Sequence, residues 1–142
     1  MNQINRARVI IGGIVGGLVI FFVMGFANHV CMGPMWKEWM ASAGRVMDPV
    51  AAKHSLYLWC AQSILLGLTG TAIYAGIRPR FGPGHVTALR AGFLLWLAAY
   101  LAEFLNARAL RFLPHHIVAG EAIAGLVAAL LGTYVGAAIY KE

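Results

Sequence analysis

Between residues 77 and 84 the chain reads Ile77-Arg78-Pro79-Arg80-Phe81-Gly82-Pro83-Gly84, a short basic stretch set between two long apolar runs. Its prolines and glycines disfavour a continuing helix, and its two arginines do not readily cross a bilayer. The stretch divides the sequence into halves, each with two apolar runs long enough to cross a hydrocarbon core of about 30 Å. The plan this imposes is a pair of helical hairpins. The expected fold is an all-α integral membrane protein, a four-helix transmembrane bundle, in one domain over residues 1–142. The predicted spans are residues 9–28, 55–77, 87–106 and 117–140.

Composition closes off the soluble alternatives. The chain is 61% apolar and 11% charged, with a mean hydropathy of +0.74, whereas soluble domains carry about 25% charged residues. A net charge of +6 raises the question of nucleic acid, but the cations are thinly spread between apolar runs. They suit lipid headgroups and membrane orientation, and no nucleic-acid partner is expected. The apolar run Val9–Ala27 is longer than the core of a signal peptide, and no small-x-small cleavage site follows it. It is expected to be a retained span. Cys31 and Cys60 form neither a disulfide framework nor a CxxC pair.

Polar sequence is concentrated between Cys31 and Lys53. Gly33-Pro34 should break the first helix. Met35, Trp36, Trp39, Met40 and Ala43 then recur at helical spacing, with Lys37, Glu38 and Ser42 largely on other sides. This predicts a short interfacial helix between spans 1 and 2, lying in the headgroups. Asp48-Pro49 reads as a helix start, with a carboxylate at the N-cap and proline in the first helical position. Thr87 is expected to cap the third span, with Arg90 in its first turn snorkelling back to the surface.

Small residues mark the packing faces. Gly12, Gly13, Gly16 and Gly17 make two overlapping small-xxx-small pairs, and Gly120, Ala124, Ala128, Gly132 and Gly136 fall every fourth residue. Both patterns let another helix approach closely. Orientation follows from Lys and Arg. The tight basic loop and the N-terminal Arg6 and Arg8 favour a cytoplasmic side holding Arg78, Arg80, Arg90 and Lys141 too. Lys37, Arg45, Lys53, Arg108 and Arg111 are then outside.

Arg78-Pro79-Arg80-Phe81-Gly82-Pro83-Gly84, followed by Thr87-Ala88-Leu89-Arg90-Ala91-Gly92, resembles the loop of small four-span bacterial membrane proteins of unassigned function. Asn5-Arg6-x-Arg8, Trp36-xxx-Met40, Trp96 and Tyr100 fit the same pattern. The resemblance implies four helices and a bacterial inner membrane, and it implies no activity; the charge bias is what makes the N- and C-termini cytoplasmic in this reading.

Candidate chemistry gathers at the outer end of this topology. His29, His54, His115 and His116 fall there, with Glu103 and Glu121 at similar depth and Cys31, Met32, Met35 and Cys60 near them. Imidazole, carboxylate and sulfur at one level could hold a metal, through His29, His54, His116 and Glu121, or ligate a haem- or chlorophyll-type ring. On a straight helix Trp96, Glu103 and Asn106 share a stripe that would suit a lipid- or quinone-like cofactor. The same residues serve equally as structural polar contacts between helices, and with no HxxxH, ExxH or CxxC spacing that is the expected role. No nucleophile and base can be placed. The expected function is therefore a non-enzymatic structural or accessory subunit of a membrane assembly, working with lipid and with copies of itself or other membrane subunits. The alternative is a small transporter or a cofactor-, metal- or lipid/quinone-handling protein built on the outer His/Glu residues.

Overall fold

The computed structural model describes residues 4–46 and 48–140. Lys141, counted above among the cytoplasmic cations, lies outside the described residues. Among these the chain is all-helical: α1 (Arg6–Phe26), α2 (Gly33–Ser42), α3 (Pro49–Phe81), α4 (His85–Trp96), α5 (Ala102–Leu110) and α6 (His115–Ile139). A π-helical turn, Ala27–Cys31, extends α1, and a second, Leu97–Leu101, joins α4 to α5 without a break. The result is four continuous helices, Arg6–Cys31, Pro49–Phe81, His85–Leu110 and His115–Ile139, each long and apolar enough to cross a membrane. This is the pattern of a multi-pass membrane protein.

The helices run up and down in sequence order. α1 packs on α3 and α6, α4 packs on the same two, and α3 meets α6 across the short diagonal. In lipid there is little hydrophobic gain from helix association, so close van der Waals contact has to hold the bundle. Glycine makes that contact possible. Gly12 and Gly16 face α6, where a Cβ on Gly16 would sit 2.5 Å from the Gly132 carbonyl oxygen and one on Gly12 2.6 Å from that of Gly136. Gly13 and Gly17 face α3, where a Cβ on Gly17 would sit 2.5 Å from Ile64 Cα. The α6 ladder therefore lies against α1, while the next face of α6 takes α4, with Gly92 against Ala129 and Leu130. Ile20, Leu95, Ala128 and Ala129 fill the middle of the bundle.

Two fully buried hydroxyls, Thr71 Oγ1 and Thr133 Oγ1, have no hydrogen-bond partner among the described residues. Thr71 Oγ1 occupies the space beside Gly136, and Thr133 Oγ1 the space beside Gly70. Each hydroxyl thus meets a glycine Cα–H on the opposing helix, a weak polar contact that only glycine leaves room for.

Local signals explain most of the helix ends. The Asn5 side chain caps α1 by accepting from Arg8 N at 3.1 Å. The Asp48 carboxylate caps α3 through Val50 N and Ala51 N, with Pro49 next in line. Two expectations need correction. α3 does not stop at residue 77 but runs to Phe81 with Pro79 inside it. The φ of proline suits a helix, and the lost N–H and the crowding of the Ala75 carbonyl are costs confined to the last turn. The stop comes at Gly82, whose φ of 80° is open to glycine and whose N–H closes on Arg78 O at 2.8 Å. Nor does Thr87 cap α4: that place belongs to Gly84, and buried Thr87 donates its hydroxyl to Phe81 O at 3.4 Å.

Candidate functional site

At the α2 end of the bundle a polar cluster forms around Glu121, one residue past Gly120 in α6. The first π turn builds one side of it. Met32 N bonds to Ala27 O at 2.9 Å, the five-residue step of a π turn, so an extra residue is absorbed between Ala27 and Met32. Asn28 is turned partly inward and Met32 is buried with its sulfur against Gly120, while His29, Val30 and Cys31 are exposed. Helix α2 then folds back. The Trp36 indole N–H donates to Asn28 Oδ1 at 2.8 Å, and Asn28 Nδ2 donates to Met24 O at 3.2 Å.

Both side chains lie beside the Glu121 carboxyl. Asn28 has a second amide N–H to offer, whereas the single indole N–H of Trp36 is given to Asn28 Oδ1. Tyr100, from the second π turn, is half-buried within electrostatic range of the same carboxyl, with its ring against Gly125. Further out, Trp39 meets Phe112 edge-on at 6.2 Å, and the Arg45 guanidinium lies over both rings at 5.8 and 5.6 Å. Asn28, Trp36, Tyr100 and Glu121 thus come from four separate segments. Chemically the arrangement can steady a carboxylate with the second Asn28 amide N–H, or present it to a polar guest, and the Trp36–Asn28 bond fastens α2 to the bundle.

The sequence-derived candidates fall elsewhere. His29, His54 and His116 are exposed, Glu121 is half-buried, and no group of three or more His, Cys, Asp or Glu side chains converges among the described residues. The proposed ligand set His29, His54, His116 and Glu121 is therefore not assembled in this fold. His115 is exposed as well, and Cys31 and Cys60 are free thiols, one exposed and one half-buried.

Trp96, Glu103 and Asn106 also part company. Trp96 is half-buried, stacks on Phe93 at 5.5 Å and donates its N–H to Ala122 O at 2.8 Å. Glu103 and Asn106 are exposed, and the half-buried positions of α5 are Phe104 and Ala107. The π turn at Leu97–Leu101 is the reason: its extra residue advances the inward stripe by one position. Glu103 has no hydrogen-bond or ion-pair partner among the described residues, so no polar contact between helices is made through it there.

Sequence reasoning missed Asn28, Trp36 and Tyr100 as partners of Glu121. One signal was present: Asn28 is the first amide after an apolar run that starts at Val9. No protein-family model, curated protein or solved structure matches this chain.

Proposed function

We propose that the chain is a non-enzymatic inner-membrane protein of bacteria, acting as a structural or accessory subunit in a homo-oligomer or alongside other membrane subunits. Its N- and C-termini and the loop at Gly82–Gly84 are cytoplasmic, and α2 lies in the outer headgroups.

Depth supports this reading. Starting at Val9, Ile77, Ala88 and Ile139 and counting about 20 residues, or ~30 Å, along each helix reaches Asn28, Leu58, Ala107 and Gly120. Asn28 and Glu121 then mark the outer boundary, and α2 with Trp36 and Trp39 falls just beyond it. Glu103 lies about 6 Å within the slab.

The single observation that carries the proposal is Glu103 itself. A carboxylate on the outer face of a span, with no partner among the described residues, is costly in lipid. Asn106 is exposed one turn away, and exposed Ala98 and Ala102 leave room for a close neighbour. Polar groups beside small residues are what membrane helices use to join one another.

Native mass spectrometry after gentle extraction tests it. The wild type should run as an assembly that Glu103→Leu breaks, while Glu103→Gln retains it in part and His54→Ala retains it fully. A monomeric wild type, with Glu103→Leu more stable, would remove the reading. A second reading, ligand handling, has the half-buried Glu121 carboxyl among Asn28, Trp36 and Tyr100 in its favour. A visible chromophore or metal retained by the wild type and lost in Glu121→Gln would establish it instead.

A further inference from the structure

The opposite end of the bundle carries a groove of about 470 Å³ between α3, α4 and α6, whose lining includes Tyr74, Arg78, His85, Ala88, Tyr134 and Ala137. A smaller hollow of about 290 Å³ shares Arg78, Pro83 and Tyr140 with it. The wall is built with some care. The Tyr134 hydroxyl and His85 Nδ1 are 2.7 Å apart, and their rings stack at 5.4 Å and 17°. The hydroxyl of buried Tyr74 accepts from Gly84 N at 3.5 Å, and its ring meets that of Tyr140 edge-on at 6.1 Å. The Arg78 guanidinium lies over the Tyr140 ring at 5.7 Å.

We propose that this groove is a binding site for an anionic phospholipid, with its phosphate between Arg78 and His85 and its acyl chain running outward between α4 and α6. The proposal rests on the membrane reading above, and not on the assembly reading.

Three features select this occupant. The first is charge. Arg78 lines the groove, Arg80 and Arg90 are exposed nearby in the sequence, and among the described residues the acids Glu38, Asp48, Glu103 and Glu121 belong to the far end, Glu142 lying outside the described residues. Arginine is well suited to phosphate oxygens.

The second is the donor beside it. In the tautomer whose Nδ1 accepts the hydrogen bond from the Tyr134 hydroxyl, the His85 ring carries its proton on Nε2, where it can be donated. The third is the apolar remainder. Ala88, Ala137 and Ala138 line the groove, and exposed Leu89 and Phe93 on α4 and Leu131 on α6 continue along the same helices. Free phosphate would have no use for that track.

The test uses the full chain in an uncharged detergent, with thermal unfolding followed as phosphatidylglycerol, phosphatidylcholine or inorganic phosphate is added. Phosphatidylglycerol alone should raise the midpoint. Arg78→Gln and His85→Ala should each need about 10- to 100-fold more lipid for the same rise, as expected for a lost charge-assisted or paired hydrogen bond. Lys53→Gln, at the far end, should behave as wild type. Glu103→Gln should keep the full lipid response even if the assembly weakens, which separates the two readings.

An equal response to phosphatidylcholine would overturn the proposal. So would a full response to inorganic phosphate, which would make the groove a site for free anions. Wild-type lipid dependence in both Arg78→Gln and His85→Ala would place the lipid elsewhere and overturn it too. His85 is exposed, so its variant serves even if Arg78→Gln fails to fold.

Discussion

The Trp36 indole N–H reaches back to Asn28 Oδ1 at 2.8 Å, across the sharp turn that separates the first long helix from α2. This bond, from a short helix to the helix before it, holds α2 over the end of the bundle where Glu121 lies.

Removing it should loosen α2 without unfolding the spans. Trp36→Phe keeps most of the ring but no donor, and leaves Asn28 Oδ1 in want of a partner. A loss of about 1–3 kcal/mol is expected for a group left unsatisfied. Hydrogen exchange should quicken across Gly33–Ser42 and stay slow in the middle of α1. Unchanged exchange in α2 would mean that other contacts hold it.

Glycine substitutions should divide sharply by position. A side chain at Gly67 would run into the backbone of Gly13 and Gly17, and one at Gly132 into Ile20 and the Gly16 carbonyl. Gly67→Leu and Gly132→Leu should each cost about 1–3 kcal/mol or more, or prevent folding. Gly25 and Gly76 have nothing within 4 Å of an added Cβ. Gly25→Ala and Gly76→Ala should be neutral or stabilising by about 0.5–1 kcal/mol through helix propensity. Thermal midpoints in detergent give the comparison, and equal losses at all four sites would contradict the packing described.

Orientation can be read with single cysteines in a background lacking Cys31 and Cys60. Gly84 is a poor site because its φ of 129° suits glycine, so neighbouring exposed Pro83 is the better choice. An impermeant thiol reagent on intact cells should label Ser42→Cys at once, and Pro83→Cys only after the membrane is opened. The reverse order would place the basic loop outside.

The π turn at Leu97–Leu101 makes an unusual forecast. One surplus residue is stored there, so deleting exposed Ala98 should give a plain α-helix with Phe104 and Ala107 still facing inward. The deletion should fold, with stability within about 1 kcal/mol of wild type, as for a surface change. Deleting Leu126 from the regular helix α6 should not fold, because every later residue turns by about 100°. If the two deletions prove equally damaging, the stored residue is not surplus.

These features also show what was open to a reader of the sequence. Four apolar runs, the Asp48-Pro49 start and the glycine periodicities translate directly into helices and contact faces, because each has one dominant physical cause. The π turns do not. Ala27–Cys31 and Leu97–Leu101 contain no residue that demands the wider turn, and only packing against other helices favours it. A stripe carried straight on from Trp96 falls one position out of phase beyond Leu97–Leu101, which is why it takes in Glu103 in place of Phe104. The pairing of His85 with Tyr134 joins residues far apart in the sequence, and no local pattern announces such a meeting.

The glycine faces of α1 have one more consequence. Two glycines four apart on α1 oppose two glycines four apart on α6, and smooth surfaces of equal period fit nearly as well after one helix slides a full turn, about 6 Å for four residues, along the other. The glycines themselves do not set the vertical alignment. The alignment is set by catches along its length: Asn5 N–H on the Tyr140 hydroxyl at 3.3 Å, Ile20 lodged beside Gly132, and Met32 seated on Gly120. A protein built this way has a track through its middle and latches beside it and at its ends, so changes at Asn5, Ile20 or Met32 would alter position before they altered cohesion.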